Sequence, residues 1–413
     1  MARPKVVLGV CGGIAAYKAA DLLRKLTESG HDVTVVPTRE ALRFVGAPTW
    51  EALSGKQVST EVFDNITEVP HVRIGQEADL VVIAPATANT LAKAAQGLAD
   101  DLLGNVLLTA RCPVVFAPAM HTEMWEHPAT VANVATLRER GALVIEPAEG
   151  RLTGVDTGKG RLPEPVEILE VCREVLARGI GVRDLEGRHV VVSAGGTREY
   201  LDPVRFLGNR SSGLQGYALA RAAAARGASV TLIAANVALP DPAGVKVVTV
   251  ESTAQLRDEV VAAAAGADAV VMAAAPADFR PTSFSDAKIK KAGDGSAPTI
   301  ELEQNPDILA TISAERQRPG QVIVGFAAET GDATGSVLDL ARAKLARKGC
   351  DLLVVNDVSG GKVFGSAENE AIILGADGSA TEVPTGAKSV LSNVIWDQVT
   401  RLFSSVPTDD SQE

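Results

Sequence analysis

The chain has 413 residues, of which 46% are apolar and 22% charged, and its 40 Lys and Arg against 51 Asp and Glu give a formal net charge of −11. This length predicts two or more domains, and the acidic balance argues against a general nucleic-acid binder, which needs a basic surface for phosphates. No apolar run reaches the roughly 18 residues of a membrane span, and we expect no signal peptide before the first strand. Four dispersed cysteines argue against zinc and disulfides and fit a reducing cytoplasm.

Strand-length apolar runs alternate with a helical pattern in the first half of the chain. Continuous runs suit strands buried on both faces of a parallel sheet, which predicts strands at 6–10, 33–36, 80–84 and 114–117. Between the first two runs, helical spacing of Ala and Leu over 14–26 predicts a helix that Gly30 ends. The strand–helix–strand order predicts right-handed crossovers and a doubly wound, Rossmann-like α/β sheet.

A second α/β pattern begins after a break at residues 178–183, so we expect two doubly wound, Rossmann-like domains at 1–183 and 184–413, the second with a modified nucleotide-binding sheet. The apolar run from Val190 ends in Gly195-Gly196 and repeats the opening of the chain. A helix with a Ser252 cap is predicted at 252–265, and a long helix at 387–403 precedes a frayed end. A hairpin is predicted to turn at 376–379. The remaining strands are predicted at 230–235, 245–250, 269–274, 322–326 and 352–356.

Small and hydroxyl residues follow strands of the first half, at the places where doubly wound sheets bind ligands. Gly12-Gly13 follows the first strand, and the segments 85–90 (PATANT) and 118–125 (PAMHTEMW) follow two others. A helix N-terminus at such a turn can receive a phosphate, although a Gly-rich turn without a ligand has the same sequence. The glycines do not form GxGxxG, so NAD is not indicated. His71 lies in a helical pattern, where a lone His is more often structural than catalytic.

Cations are concentrated near strand ends in the second half. The long loop after Gly196 carries three arginines, whose planar forks suit phosphate and carboxylate. Residues 288–291 (KIKK) lie in a Gly- and Asp-rich stretch, where mobile lysines could neutralise a leaving pyrophosphate. A solvated charged loop would give the same patterns, and surface lysines would equally explain Lys344 and Lys348, four apart on one helix.

The first half resembles the flavin-dependent cysteine decarboxylases, on the segments GGIAAYK (12–18), PATANT, PAMHTEMW and GKGRL (158–162) in family order and spacing. The resemblance implies a flavodoxin-like fold, FMN as cofactor and His71 as the catalytic base. The flavin would oxidise the substrate thiol and so create an electron sink for loss of CO₂. The implied cofactor contacts are Gly12, Gly13, Thr38, Phe44, Pro85, Ala86, Thr87, Asn89 and Met120.

Two positions depart from that family's pattern. His121 stands where the family usually has an Asn that binds the substrate carboxylate, and an imidazole can still donate to a carboxylate. We therefore expect His121 in the site. Gly154 stands where the family's flap usually has a proton-donating Cys, so Thr153, Asp156 or water are the alternatives for this role.

The second half resembles the bacterial phosphopantothenate–cysteine ligases, on SAGGTRE, VRFLGNRSSG, AAAPADFRP, KIKK, NPDIL and VGFAAET in family order. The fusion implies a bifunctional enzyme of coenzyme A biosynthesis. CTP with Mg²⁺ would activate 4′-phosphopantothenate as an acyl-cytidylate for attack by cysteine, with Arg205, Asn209 and Lys288 in catalysis and the metal ligands unknown. The implied CTP contacts are Ala273, Ala274, Asp278, Lys288, Asn305, Pro306, Asp307, Ile308, Phe326, Lys344 and Lys348.

The family also implies a homo-oligomer, a dodecamer built from trimeric decarboxylase and dimeric ligase contacts. The expected partners are small molecules, without nucleic acid or membrane. Three other functions stay open from the residues: a flavoprotein oxidoreductase with a nucleotide-binding domain, a flavin-binding regulatory subunit with a decayed decarboxylase site, and a non-enzymatic binding module. The departures at His121 and Gly154 favour the regulatory subunit, whereas the presence of His71 argues against it.

Overall fold

A computed structural model describes residues 3–58, 70–151, 156–179, 183–290, 298–329, 337–357 and 368–405. The predictions for Thr153, Gly154, Lys291 and the chain beyond 405 lie outside these residues. The chain divides into two compact units, Met1–Val182 with Pro242–Gly244, and Arg183–Asp241 with Val245–Glu413. Within the described ranges, no helix has the length and apolar character needed to cross a bilayer.

The first unit is built on a five-stranded parallel sheet, and its strand order β2-β1-β3-β4-β5 is the flavodoxin-like order. The strands are β1 Lys5–Val10, β2 Asp32–Pro37, β3 Leu80–Ala86, β4 Val114–Pro118 and β5 Leu143–Val144, with a separate hairpin of β6 Ala148–Arg151 and β7 Thr157–Arg161. The helices are α1 Ala16–Glu28, α2 Ala47–Ser54, α3 Pro70–Glu77, α4 Ala88–Gln96, α5 Leu102–Thr109, α6 Thr122–Trp125, α7 Pro128–Glu139 and α8 Pro165–Arg178.

Burial explains these elements and confirms the four predicted strands. Every residue of β3 is buried, as a strand covered on both faces requires. The first helix buries Ala19, Leu22, Leu23 and Leu26 on one face, and each buried Leu contributes about 1.5–3 kcal/mol. This helix begins two residues later than predicted, because Ile14 lies in the preceding turn with 68% of its surface exposed.

The second unit contains an eight-stranded sheet in the order β12-β11-β8-β13-β16-β17-β18-β19, with the last two strands antiparallel. Its strands are β8 His189–Gly195, β11 Ser229–Ala235, β12 Val245–Val250, β13 Ala269–Met272, β16 Val322–Glu329, β17 Leu352–Asp357, β18 Glu368–Gly375 and β19 Ala380–Ala387. Two ribbons add β9 Arg198–Tyr200 with β10 Phe206–Gly208, and β14 Phe279–Pro281 with β15 Leu302–Gln304. The helices are α9 Leu214–Ala225, α10 Thr253–Ala264, α11 Ile308–Ala314, α12 Val337–Lys348 and α13 Lys388–Ser405.

The predicted strands, hairpin and final helix of this unit are confirmed, with two differences. The segment predicted as a loop after β8 contains the β9–β10 ribbon, in which Tyr200 and Phe206 meet edge to face and the Arg198 guanidinium lies 4.7 Å from the Phe206 ring centre. The strand predicted at 269–274 ends at Met272, because the Ala274 N–H turns away and donates to Ser193 Oγ at 3.1 Å.

A buried arginine ties the C-terminal helix to the body of the second unit. Arg226 donates to both oxygens of Asp184, at 2.8 and 2.5 Å, and to Asp397 at 2.8 Å. It also donates to the carbonyl of Asn393 at 3.1 Å. The side chain of Arg226 is only 10% exposed. These bonds join the segment before β8, the end of α9 and the middle of α13.

Candidate active sites

Backbone hydrogen bonds bring the candidate cofactor segments together along the carboxyl edge of the first sheet. The backbone N–H of Thr38 donates to the Val10 carbonyl at 2.8 Å, and the backbone N–H of Cys11 donates to the Pro85 carbonyl at 3.2 Å. Ala119 in turn donates to the Ala86 carbonyl at 3.0 Å. The strand-to-helix turn after β1, the PATANT segment and the PAMHTEMW segment therefore form one continuous edge.

In the glycine pair after β1, Gly12 packs closely against Glu40, whereas the space beside Gly13 is open. A Cβ on Gly12 would lie 2.3 Å from Glu40 Cβ, so only glycine lets this turn pack against the segment after β2. A Cβ on Gly13 would meet nothing within 4 Å. Ile14, directly after this pair, and Phe44, shortly after Glu40, expose 68% and 51% of their surfaces. This edge therefore offers accessible backbone and uncovered apolar side chains, as a flat ring with a phosphate tail requires.

A hydroxyl–thiol network fixes the PATANT segment. The Thr87 hydroxyl caps α4 by accepting from the Thr90 N–H, and it lies 3.1 Å from the Thr90 hydroxyl. That hydroxyl donates to Cys11 Sγ at 3.1 Å. Burial raises the pKa of the Cys11 thiol to about 11, so the sulfur is an inert neutral acceptor. Sequence reasoning missed this network. The predicted cofactor contact Asn89 lies outside the network: it is exposed and has no hydrogen-bond partner among the described residues.

The two candidate histidines differ in their surroundings. His71 lies on α3, and its Nδ1 is buried without a hydrogen-bond partner in the described parts of the chain. Its backbone is held to α5, because Thr109 Oγ1 donates to the His71 carbonyl at 3.0 Å. His121 is exposed at the start of α6. Among the described residues, no hydrogen bond joins His71 to the carboxyl edge, so its role as a base stays a prediction.

The β6–β7 hairpin packs on the PAMHTEMW segment. The backbone N–H of Met120 donates to the Gly160 carbonyl at 3.0 Å, and a Cβ on Gly160 would lie 2.1 Å from the Met120 carbonyl oxygen. A Cβ on Gly158 would lie 2.4 Å from Thr122 Oγ1. That hydroxyl is buried and, within the described residues, has no partner. Sequence reasoning missed Thr122, because a threonine at the start of a helix normally indicates only a cap.

In the second unit, the ends of β8 and β13 meet and carry the candidate ligase segments. Gly196 and Ala275 form a parallel bridge, and Ala275 donates to the Gly195 carbonyl at 2.8 Å. Asn209 Nδ2 donates to the Pro276 carbonyl at 2.8 Å. A Cβ on Gly196 would lie 2.5 Å from the Asn209 carbonyl oxygen. The exposed Asn209 is therefore held where the GGT and AAAPAD segments join.

The NPDI segment joins the same place through Asn305. This buried residue donates from its backbone to the Asp278 carbonyl and from Nδ2 to the Ala277 carbonyl, both at 2.9 Å. Its Oδ1 is buried without a hydrogen-bond partner in the described ranges. Such an orphaned acceptor costs about 1–3 kcal/mol, and a ligand N–H would satisfy it.

Asp307 links the NPDI segment to α12. Its carboxylate caps α11 by accepting from the Ala310 N–H at 3.1 Å, and it pairs with the Lys348 ammonium. Desolvation would raise the pKa of Asp307, but the bonds from Lys348 and the Ala310 N–H outweigh it and lower this pKa. Asp307 therefore stays ionised near neutral pH and holds Lys348 beside the NPDI turn.

Four of the remaining candidate nucleotide contacts pack their side chains into two different core clusters. The side chains of Ala274 and Ile308 belong to the core cluster that includes α11 and α12, and Ile308 is only 2% exposed. Ala273 and Phe326 pack against the other core cluster, which includes α9 and α13. Ile308 could therefore contact a ligand only through its backbone. Pro306 is half-buried, and Asp278 is exposed.

Arg205, in the β9–β10 loop, bonds to the residue that follows Lys288. Both terminal nitrogens of Arg205 donate to the Ile289 carbonyl at 3.2 Å, which brings Arg205 beside the neighbour of Lys288. Among the described residues, no group of three His, Cys, Asp or Glu side chains could hold a metal ion.

Comparison with known proteins covers both units. Residues 1–177 match the family model described as flavoprotein, and residues 185–402 match the DNA/pantothenate metabolism flavoprotein C-terminal domain. Three similar curated proteins share the name coenzyme A biosynthesis bifunctional protein CoaBC. That of Mycobacterium tuberculosis is 60% identical over 96% of both chains, and that of Mycolicibacterium smegmatis is 58% identical over 98% of this chain and 99% of its own. That of Bacillus subtilis is 42% identical over 96% and 97%.

Similar solved structures cover one unit each. The crystal structure of the C-terminal domain of CoaBC is 32% identical and covers 54% of this chain and 100% of its own, with a TM-score of 0.46. The FMN binding protein AtHal3 is 33% identical and covers 42% of this chain and 96% of its own, with a TM-score of 0.38.

Proposed function

The chain belongs to the family of bifunctional coenzyme A biosynthesis proteins, and from that premise we propose which residues perform each of its two reactions. It is a decarboxylase and a ligase. The second half joins cysteine to 4′-phosphopantothenate, and the first half decarboxylates the product to 4′-phosphopantetheine. Family membership sets aside the oxidoreductase, the regulatory subunit and the binding module as alternatives.

The first half is a flavoprotein, and we propose that it uses FMN. When bound, FMN supplies the oxidation of the substrate thiol that allows the carboxylate to leave as CO₂. The open backbone at Gly13 and the amide of Asn89 suit the cofactor's polar atoms, while the exposed ring of Phe44 suits its apolar surface. Thr38, Thr87 and the buried Pro85-Ala86 hold the shape of this edge through the hydrogen bonds described above.

Two histidines and the β6–β7 hairpin would act on the decarboxylase substrate. His71 is proposed as the base that takes a proton from the substrate, since its Nδ1 has no partner among the described residues. His121 is proposed to donate to the substrate carboxylate in place of the family's usual Asn. Thr122 Oγ1 adds a buried polar group to this segment, and the hairpin at Gly158 covers it.

In the second half, CTP with Mg²⁺ is proposed to activate the carboxylate of 4′-phosphopantothenate. The observation that carries this proposal is the convergence of Gly196, Asn209, Ala275 and Asn305 where β8 and β13 end. The unpartnered Oδ1 of Asn305 would accept an N–H from the ligand. Lys288 and Arg205 would stabilise the charge that develops as pyrophosphate leaves, and Asn209 would act on the acyl-cytidylate.

A coupled assay tests both halves on the purified full chain. We expect CTP, Mg²⁺, cysteine and 4′-phosphopantothenate to yield pyrophosphate and then CO₂, with the bound chromophore identified as FMN. Absence of pyrophosphate would refute the ligase residues and nucleotide. Pyrophosphate without CO₂, or a colourless protein that does not take up FMN, would refute the flavin site. ATP, GTP and UTP serve as controls for the nucleotide.

We further propose a cytoplasmic homo-oligomer, a dodecamer, that acts on small molecules and not on nucleic acid or membranes. The net charge of −11 supports the absence of nucleic acid. Light scattering on the purified protein tests the oligomer, because a dodecamer would have about twelve times the 42.8 kDa mass of the chain.

A further inference from the structure

Asp202 is a buried carboxylate to which the proposed reactions assign no role. It lies in the loop between β9 and β10, and its side chain is 0% exposed. Oδ1 accepts from the N–H groups of Val204 and Arg205, both at 2.8 Å. Oδ2 accepts from the Ile289 N–H at 3.1 Å and from Arg205 Nη1 at 3.3 Å. The protein itself therefore satisfies both carboxylate oxygens.

The bond to Ile289 reaches a segment 87 residues away in the sequence. Asp202 holds the N–H of Ile289, and Arg205 holds its carbonyl with two bonds of 3.2 Å. Both backbone polar groups of one residue are thus held by one Asp–Arg pair. Ser285 reinforces the contact by donating from its N–H to the Leu201 carbonyl at 3.0 Å. We call Asp202, Arg205 and Ile289 the Asp202 latch.

The latch has a consequence for Lys288, the residue directly before Ile289. Lys288 is exposed, and its ammonium has no partner among the described residues. The backbone of Lys288 is therefore held within one residue of the latch, while its cation stays available for a ligand. A cation held in place stabilises a transition state better than a mobile one, because a misplacement of about 1 Å can lower the rate about 100-fold.

The hydrogen-bond pattern requires a carboxylate at position 202. Desolvation would raise the pKa of Asp202, but the N–H groups of Val204, Ile289 and Arg205 outweigh it and lower this pKa. The ionised group offers acceptors only. An Asn of the same shape would present an NH₂ either to the Ile289 N–H or to the N–H groups of Val204 and Arg205, so one set of bonds would be lost.

We infer that Asp202 is a positioning residue of the ligase, which holds Lys288 and Arg205 at one place through Ile289. The inference rests on the proposed roles of Lys288 and Arg205. Asp202 has no oxygen left for a substrate, so it acts through its neighbours.

The test is Asp202→Asn in the full chain, with Asp286→Asn as the matched control. Asp286 lies in the same segment as Ile289 and is exposed, without a partner in the described ranges, so its substitution makes the same chemical change outside the latch. We expect Asp202→Asn to lower kcat for pyrophosphate release about 10- to 100-fold, with a much smaller change in KM for 4′-phosphopantothenate. Asp286→Asn and the decarboxylation of supplied 4′-phosphopantothenoylcysteine should stay at wild-type values.

Amide hydrogen exchange at Ile289 provides a readout that is independent of activity. Asp202→Asn should accelerate this exchange, whereas Asp286→Asn should not. Wild-type kcat in Asp202→Asn, or lost activity with unchanged exchange, would overturn the positioning role alone. Failure of the wild-type chain to release pyrophosphate would overturn the proposed ligase function, and the positioning role with it. If Asp202→Asn does not fold, Ile289→Pro removes the N–H from the other side of the latch, and a kcat equal to wild type there would overturn the inference.

Discussion

Arg226 offers a measurable test of how the C-terminal helix is held. Replacement by Met keeps much of the apolar stem and removes the guanidinium. The bonds from Arg226 to Asp184, to Asp397 and to the Asn393 carbonyl are then lost. Each charge-assisted bond contributes about 1.5–3 kcal/mol, and removing one member of a buried ion pair costs about 3–5 kcal/mol.

The free-energy cost of removing Arg226 is lower than this, because the carboxylates of Asp184 and Asp397 are partly exposed. Asp184 and Asp397 are 32% and 37% exposed, so water replaces part of what the guanidinium provided. We therefore expect Arg226→Met to lower the free energy of unfolding of the second unit by about 2–3 kcal/mol. For a unit of this size, about 2–4 °C of Tm per kcal/mol gives a shift of about 4–12 °C.

Scanning calorimetry on the full chain measures this shift in Tm. The unfolding transition of the flavoprotein half serves as an internal reference. Arg257→Met is the control, because among the residues that the structure describes Arg257 bonds to the adjacent Asp258 alone, on the surface of α10. A change below about 0.5 kcal/mol in Arg226→Met, equal to that of an ordinary surface substitution, would contradict the reasoning. Faster amide exchange along α13 in the variant would show that this helix is the element released.

Three further predictions concern the two sites. Asn305→Ala should raise KM for CTP about tenfold, as loss of one ligand hydrogen bond requires, with decarboxylation unchanged; pyrophosphate assays measure it, and an unchanged KM would exclude the Oδ1 contact. His71→Asn should keep the flavin absorbance and lower CO₂ release at least about 100-fold, whereas normal turnover would exclude His71 as base. Because burial raises the pKa of Cys11 from 9.0 to about 11, its neutral thiol favours the folded state below pH 9, and this contribution is lost as the pH rises through about 11. Urea unfolding of the first half should therefore show wild type losing stability relative to Cys11→Ser over that window, and parallel pH curves would contradict it.

Local sequence patterns determined much of the fold. Apolar runs predicted the strands at 6–10 and 80–84, because a strand buried on both faces needs a continuous run. Ser252 predicted its helix start, where a complete capping box with Gln255 forms. The order of strands and helices predicted a doubly wound sheet in each half. These features depend on residues close together in the chain, which a sequence displays directly.

Only the tertiary structure decided which distant groups meet. The bond of Asn305 to Ala277, the pairing of Asp307 with Lys348 and the contact of Asp202 with Ile289 join residues 28, 41 and 87 positions apart. Neither periodicity nor composition encodes these contacts, because they depend on how crossovers bring strand ends and loops to one edge. Burial then selects the partner of each polar group, since an unpaired one costs about 1–3 kcal/mol. The sequence therefore specified the elements, and packing specified the geometry of the sites.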